Sequence, residues 1–92
     1  MSVNGVSVYR EMVLVSESGA QNITVETGGE PYTVTYKKGI KTIAQMKIGS
    51  TVLAADKENS ETVVFTPEKS GYYTFVVKTQ GRDSYRFVVY VK

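Results

Sequence analysis

An all-β fold, an antiparallel sandwich of seven to eight strands, is what this chain of 92 residues predicts. Two observations carry that expectation. Short runs rich in Val, Ile, Thr, Tyr and Phe recur along the whole length, and Gly, Asn, Ser and Pro break them at regular intervals. Helical periodicity is nearly missing, so nothing supplies the helices that alternating βαβ units require. The length fits one domain, 1–92, with no linker, internal repeat or low-complexity tract.

Taken in order, the first strand is expected over 6–15, a run rich in Val and Tyr that "SESGA" stops. The next covers 21–27 and ends at "TGGEP", whose paired glycines and proline cannot continue a ladder. "YTVTYK" at 32–37 is β-branched and aromatic throughout and is closed by "KKG". Runs at 41–47 and 51–55 are separated by "IGS", and "DKENS" parts them from 61–66. "TPEKSG" then leads into 71–79, and "TQGRD" joins that strand to 84–91. The last two strands show the clearest period of two. Tyr73, Phe75 and Val77 share one face with Tyr85, Phe87, Val89 and Val91, while Lys78 and Arg86 lie on the other. The uncharged face is therefore the core face. Gly81 supplies the positive φ that a tight hairpin between the two strands needs.

Composition excludes several functions. The apolar fraction is 41%, the charged fraction 22% and the net charge +2, with no arginine cluster or basic helix of the kind nucleic acid requires. No apolar run approaches the ~20 residues of a membrane span, and no signal peptide opens the chain. Cys, His and Trp are all absent. Structural zinc, thiol nucleophiles and Ser-His-Asp triads are thereby ruled out. The chain is held by packing and hydrogen bonds without disulfides, as in a cytosolic protein or in a lineage whose exported proteins avoid Cys. It closes on the strand-like "FVVYVK" without a polar tail, an ending that suggests a domain taken from a longer protein.

The segment "Gly71-Tyr72-Tyr73-Thr74-Phe75" has the form Gly, any residue, Tyr, any residue, apolar. This is similar to the tyrosine corner of immunoglobulin-like sandwiches, in which a Tyr near the start of the penultimate strand bonds back to the preceding connection. Phe75 stands where antibody domains place a cysteine. "Val34-Thr35-Tyr36-Lys37-Lys38-Gly39", the Gly49-Ser50 turn and "Val64-Phe65-Thr66" complete a pattern that resembles bacterial Ig-like domains of Gram-positive cell-surface and secreted proteins. The resemblance covers roughly 22–92 and departs from the usual Asp-x-x-Gly-Asn turn at 78–83. It implies an immunoglobulin-like topology with Gly71, Tyr73, Phe75 and Phe87 as fold-defining residues. It also implies an extracellular or cell-wall setting and neighbouring domains of a parent chain as partners. It carries no catalytic residues and no cofactor.

Four features are candidates for function. Tyr72, Val76, Val88 and Tyr90 form the second face of the last hairpin, an apolar aromatic stripe suited to a neighbouring domain, to self-association or to another protein or glycan ligand unless another strand or the N-terminal segment covers it. Lys37, Lys38, Lys41 and Lys47 lie in an acid-free stretch, 31–55, and could attract a polyanion; the favoured alternative is an edge strand guarded by lysines. The acidic loop 56–61 offers oxygen ligands for calcium, but it holds Lys57 and lacks the spacing of a calcium loop, so a solvated connection is expected. A Lys–Asn crosslink, as some Gram-positive sandwich domains form, would have to use Asn4, Asn22 or Asn59, all in or beside turns. No nucleophile elbow, carboxylate pair or phosphate-cradling loop is recognisable. The expectation is a non-catalytic module, a spacer or an adhesion domain. The alternatives are a carbohydrate-binding module of a secreted hydrolase, which the missing Trp disfavours, and a freestanding Ig-like protein such as a phage decoration protein or an inhibitor.

Overall fold

The computed structural model describes residues 1–58 and 61–92. Its strands are β1 (Ser2–Val3), β2 (Val6–Ser7), β3 (Val13–Ser16), β4 (Gln21–Val25), β5 (Tyr32–Lys38), β6 (Thr51–Lys57), β7 (Glu61–Phe65), β8 (Gly71–Thr79) and β9 (Tyr85–Val91), and a single-turn helix, α1 (Ile43–Met46), lies between β5 and β6. One sheet has the order β2-β1-β4-β7 and the other β3-β9-β8-β5-β6. The strands expected over 21–27, 32–37, 51–55, 61–66, 71–79 and 84–91 correspond to β4 through β9 with small shifts at their ends.

Two expectations are corrected. The run 6–15 is two strands in two sheets rather than one, which with β1 raises the count among the described residues to nine. The chain crosses between sheets at Val8–Met12: Val8 is buried, Glu11 takes a φ of 62°, and the Met12 N–H closes a turn on the Tyr9 carbonyl at 3.1 Å. Beyond the crossing, β3 runs parallel to β9, pairing Val13 with Val88 and Val15 with Tyr90, so the sandwich is not wholly antiparallel. The second correction is 41–47, expected as a strand and found as α1. Thr42 caps it, its side chain accepting from the Gln45 N–H while the Gln45 side chain accepts from the Thr42 N–H. That reciprocal pair satisfies two donors that a helix start otherwise leaves open.

The core lies between the sheets. Phe75 and Phe87 are fully buried and stack at 5.2 Å, and Phe65 meets Phe75 edge-on at the same separation. Ile23, Val25, Val63, Val34, Val77, Val89 and Val91 fill the space around them. Such rings and branched aliphatics contribute most of the folding free energy, each fully buried side chain about 1.5–3 kcal/mol. Phe75 is registered opposite Phe87, Tyr73 opposite Val89 and Gly71 opposite Val91, which keeps the apolar sides of both strands turned inward.

A polar cluster closes the connection from β3 to β4, where the chain returns to the first sheet. Gln21 is 1% exposed, yet every hydrogen-bonding capacity of its amide is used. Its nitrogen donates to the Glu17 and Gly19 carbonyls, and its oxygen accepts from Asn4 Nδ2 and the Ser16 hydroxyl. A buried amide with all partners in place costs little, whereas a partly satisfied one is expensive.

Candidate functional site

The outward face of the five-stranded sheet is where most of the candidate residues fall, and the structure divides them. The chain from Gly39 to Ser50, including α1, lies across the middle of this face. It is fastened to β8 through Thr74, a residue with no exposed surface, whose hydroxyl donates to the Gly39 carbonyl at 2.7 Å and accepts from the Lys41 N–H at 2.9 Å. Arg86 Nε on β9 donates to the Lys41 carbonyl at 2.6 Å, and the same guanidinium pairs with Glu11. Met46 is 5% exposed, and its Sδ and carbonyl both meet the Ser50 hydroxyl.

This strap corrects the apolar stripe. Val76 and Val88 are buried, at 8% and 2% exposure, and are not available to a ligand. Val76 lines a small cavity with Ile43 and Met46 of α1, so the helix roofs that end of the face. Tyr72 remains 42% exposed, and Tyr90 is partly exposed beside it with ring centroids 4.7 Å apart. Their planes are inclined by 44°, which does not make a flat platform for a sugar ring. What the sequence reading missed is β3. Val15 is paired with Tyr90 and Tyr90 with Tyr72, so one row of apolar side chains crosses three strands. Val13 and Val15 are 52% and 57% exposed. That 12–15 belongs to a strand was legible. Its attachment to the last strand was not, because that pairing is set by the crossing at Val8–Met12.

The four lysines do not form one patch. Lys37 and Lys38 are consecutive on β5 and point to opposite faces. Lys37 Nζ donates to the Ile48 carbonyl at 3.0 Å, while Lys41 and Lys47 sit on the strap and α1 terminus. Lys38, on the other face, lies on the rim of a cleft of about 310 Å³ with Tyr36, Phe65, Glu68, Lys69 and Tyr73. Nor is β5 a lysine-guarded edge: it lies between β8 and β6. The aromatic walls of the cleft belong to the core, since Phe65 and Tyr73 are 2% and 4% exposed.

Tyr73 donates its hydroxyl to the Lys69 carbonyl at 2.6 Å, closing the turn that precedes β8, and Gly71 enters that strand at a φ of 132°, which favours glycine. Of the calcium loop, Asn59 and Ser60 lie outside the described residues; Glu61 accepts from the Tyr32 hydroxyl at 3.2 Å. Among the described residues no three acidic side chains gather into a metal site. Asn4, one crosslink candidate, has its side chain bonded to Ser16, Gln21 and the Asn22 N–H; Asn22 stays exposed, and Asn59 is outside the described residues. No helix among the described residues is long and apolar enough to cross a membrane.

Two phenols are displaced from their ordinary value of 10.0. Burial pushes Tyr32 up, and the Glu61 carboxylate beside it adds to the effect. Burial also pushes Tyr85 up, partly opposed by Arg10, whose guanidinium lies 5.3 Å from its ring centre. The Tyr85 hydroxyl donates to the Val8 carbonyl at the sheet crossing. Both hydroxyls therefore serve as donors in bonds between distant parts of the chain. No family model and no curated protein sequence matches this chain.

Proposed function

We propose that this chain is a non-catalytic immunoglobulin-like module of an exported bacterial protein, acting as a spacer or as an adhesion and interaction domain beside neighbouring domains. The observation that carries the reading is the strand order. Immunoglobulin sandwiches place strands A, B and E in one sheet and C, F and G in the other, with a further C′ strand in some. The order β1-β4-β7 opposite β9-β8-β5-β6 is compatible with that assignment. The Tyr73 hydroxyl bonded to Lys69 stands where such a fold carries its tyrosine corner. Several of the buried and half-buried polar groups are spent on architecture. Thr74 and Arg86 hold the strap, and Gln21, Ser16 and Asn4 hold the return from β3 to β4.

The size and location of the native polypeptide test this reading, by immunoblot of fractionated source cells with antibody against the domain. A band far above 10.2 kDa in the wall or the medium is the expected result. A band at 10.2 kDa inside the cell would overturn it.

A further inference from the structure

The free edge of β3 shows what this face is suited to meet. Val88 N–H donates to the Met12 carbonyl at 2.9 Å and Lys92 N–H to the Ser16 carbonyl at 3.0 Å. With Val13 registered on Val88 and Val15 on Tyr90, these bonds fix which residues of β3 turn toward β9. Leu14 and Ser16 give their N–H and C=O to that ladder, and Val13 and Val15 direct theirs outward, since alternate residues of a strand serve opposite neighbours. β3 is the last strand of its sheet. Its outward donors and acceptors sit symmetrically about Leu14.

We propose that β3 adds a second copy of the same strand, antiparallel, across a two-fold axis at Leu14. The inference rests on reading this face as an interaction surface. In that register Val13 exchanges both backbone groups with Val15 of the second copy, and the reverse pair does the same. A self-complementary pattern of this kind is what a two-fold interface needs. The side chains agree with the backbone. Val13 and Val15 are more than half exposed and carry no charge, and Val15 continues the row through Tyr90 to Tyr72, so pairing would join two apolar faces into one. The ends agree as well. Glu11 would face Glu17 of the second copy, but Arg86 neutralises the first and Lys92, at 3.5 Å, the second within each chain. The opposite edge of the same sheet lacks this readiness. β6 is broken by two shifts of register and by Asp56 at a φ of 51°, devices that discourage edge pairing.

Sedimentation equilibrium into the millimolar range, together with amide exchange by NMR, tests the pairing. The expected result is a concentration-dependent species of twice 10.2 kDa in which the Val13 and Val15 amides become protected as it forms. The Leu14 and Ser16 amides should be protected at every concentration. Val15→Pro removes an outward N–H without touching the β9 ladder, and each dimer loses it twice. It should weaken association by about tenfold or more while Leu14 protection survives. Val15→Lys provides a second variant with the same expected loss. A monomer throughout, or a dimer whose protection appears on β7 instead, overturns the proposal. So does protection of Val13 and Val15 only on adding a foreign extended peptide. A monomer would leave the exported-module reading standing, because that depends on the size of the native polypeptide.

Discussion

Tyr73 is 4% exposed and its hydroxyl still finds the Lys69 carbonyl, so a single atom decides whether the turn before β8 is closed. Tyr73→Phe keeps the ring in the core and removes only that bond. It should cost about 1–3 kcal/mol, since the Lys69 carbonyl is left without its partner in a partly buried position. A urea melt checks this, and an unchanged midpoint would mean that water replaces the hydroxyl freely. The residue was legible in the sequence because Gly71, Tyr73 and Phe75 have a fixed local spacing. Gln21 was not. Nothing in "SGAQN" marks a glutamine that will be buried with four partners, because Asn4 and Ser16 reach it from other elements.

At the scale of elements, the strap over the five-stranded sheet depends on Thr74. Thr74→Val preserves shape but strands the Gly39 carbonyl and the Lys41 N–H, and should cost about 1–3 kcal/mol. The loss should be concentrated locally, with amide exchange rising from Gly39 to Ser50 more than in β8. Uniform acceleration across both sheets would mean that the strap is part of the global unit and not a separable layer. The strap is also where the sequence was hardest to read. "KTIAQMK" carries a Thr-x-x-Gln capping box and an apolar pair at i and i+3, Ile43 and Met46, both signals of a helical turn. They are outweighed by eye because the run is short and its neighbours are strands. The cover over Val76 and Val88 was not legible for a related reason: what covers them lies some 30–50 residues away along the chain. By contrast, the inward side of β8 and β9 was plain, because Lys78 and Arg86 mark the other face and leave Tyr73, Phe75, Val77, Phe87 and Val89 on one side. The split of 6–15 gave no warning. The crossing is made at Glu11 with a positive φ, where sequence reasoning looks for Gly or Asn.

For the molecule as a whole, the two raised phenols link stability to alkaline pH. Tyr32 bonds across from one sheet to Glu61 in the other, and Tyr85 bonds from β9 to the chain at the sheet crossing. Each pKa is higher folded than unfolded, so the protonated form is the one the fold favours. Their contribution is fully present below the unfolded value near 10 and is lost as pH rises through the folded values above it. Melting temperature should therefore fall above about pH 10 more steeply in the native chain than in the Tyr32→Phe, Tyr85→Phe double variant. Parallel declines would assign the loss to lysine deprotonation instead. The parallel pairing of β3 with β9 has one more consequence. Tension that enters ahead of β3 and leaves beyond β9 pulls the two strands in opposite directions along their length. The hydrogen bonds between them lie across that direction, so they are loaded together in shear and are not unzipped from one end.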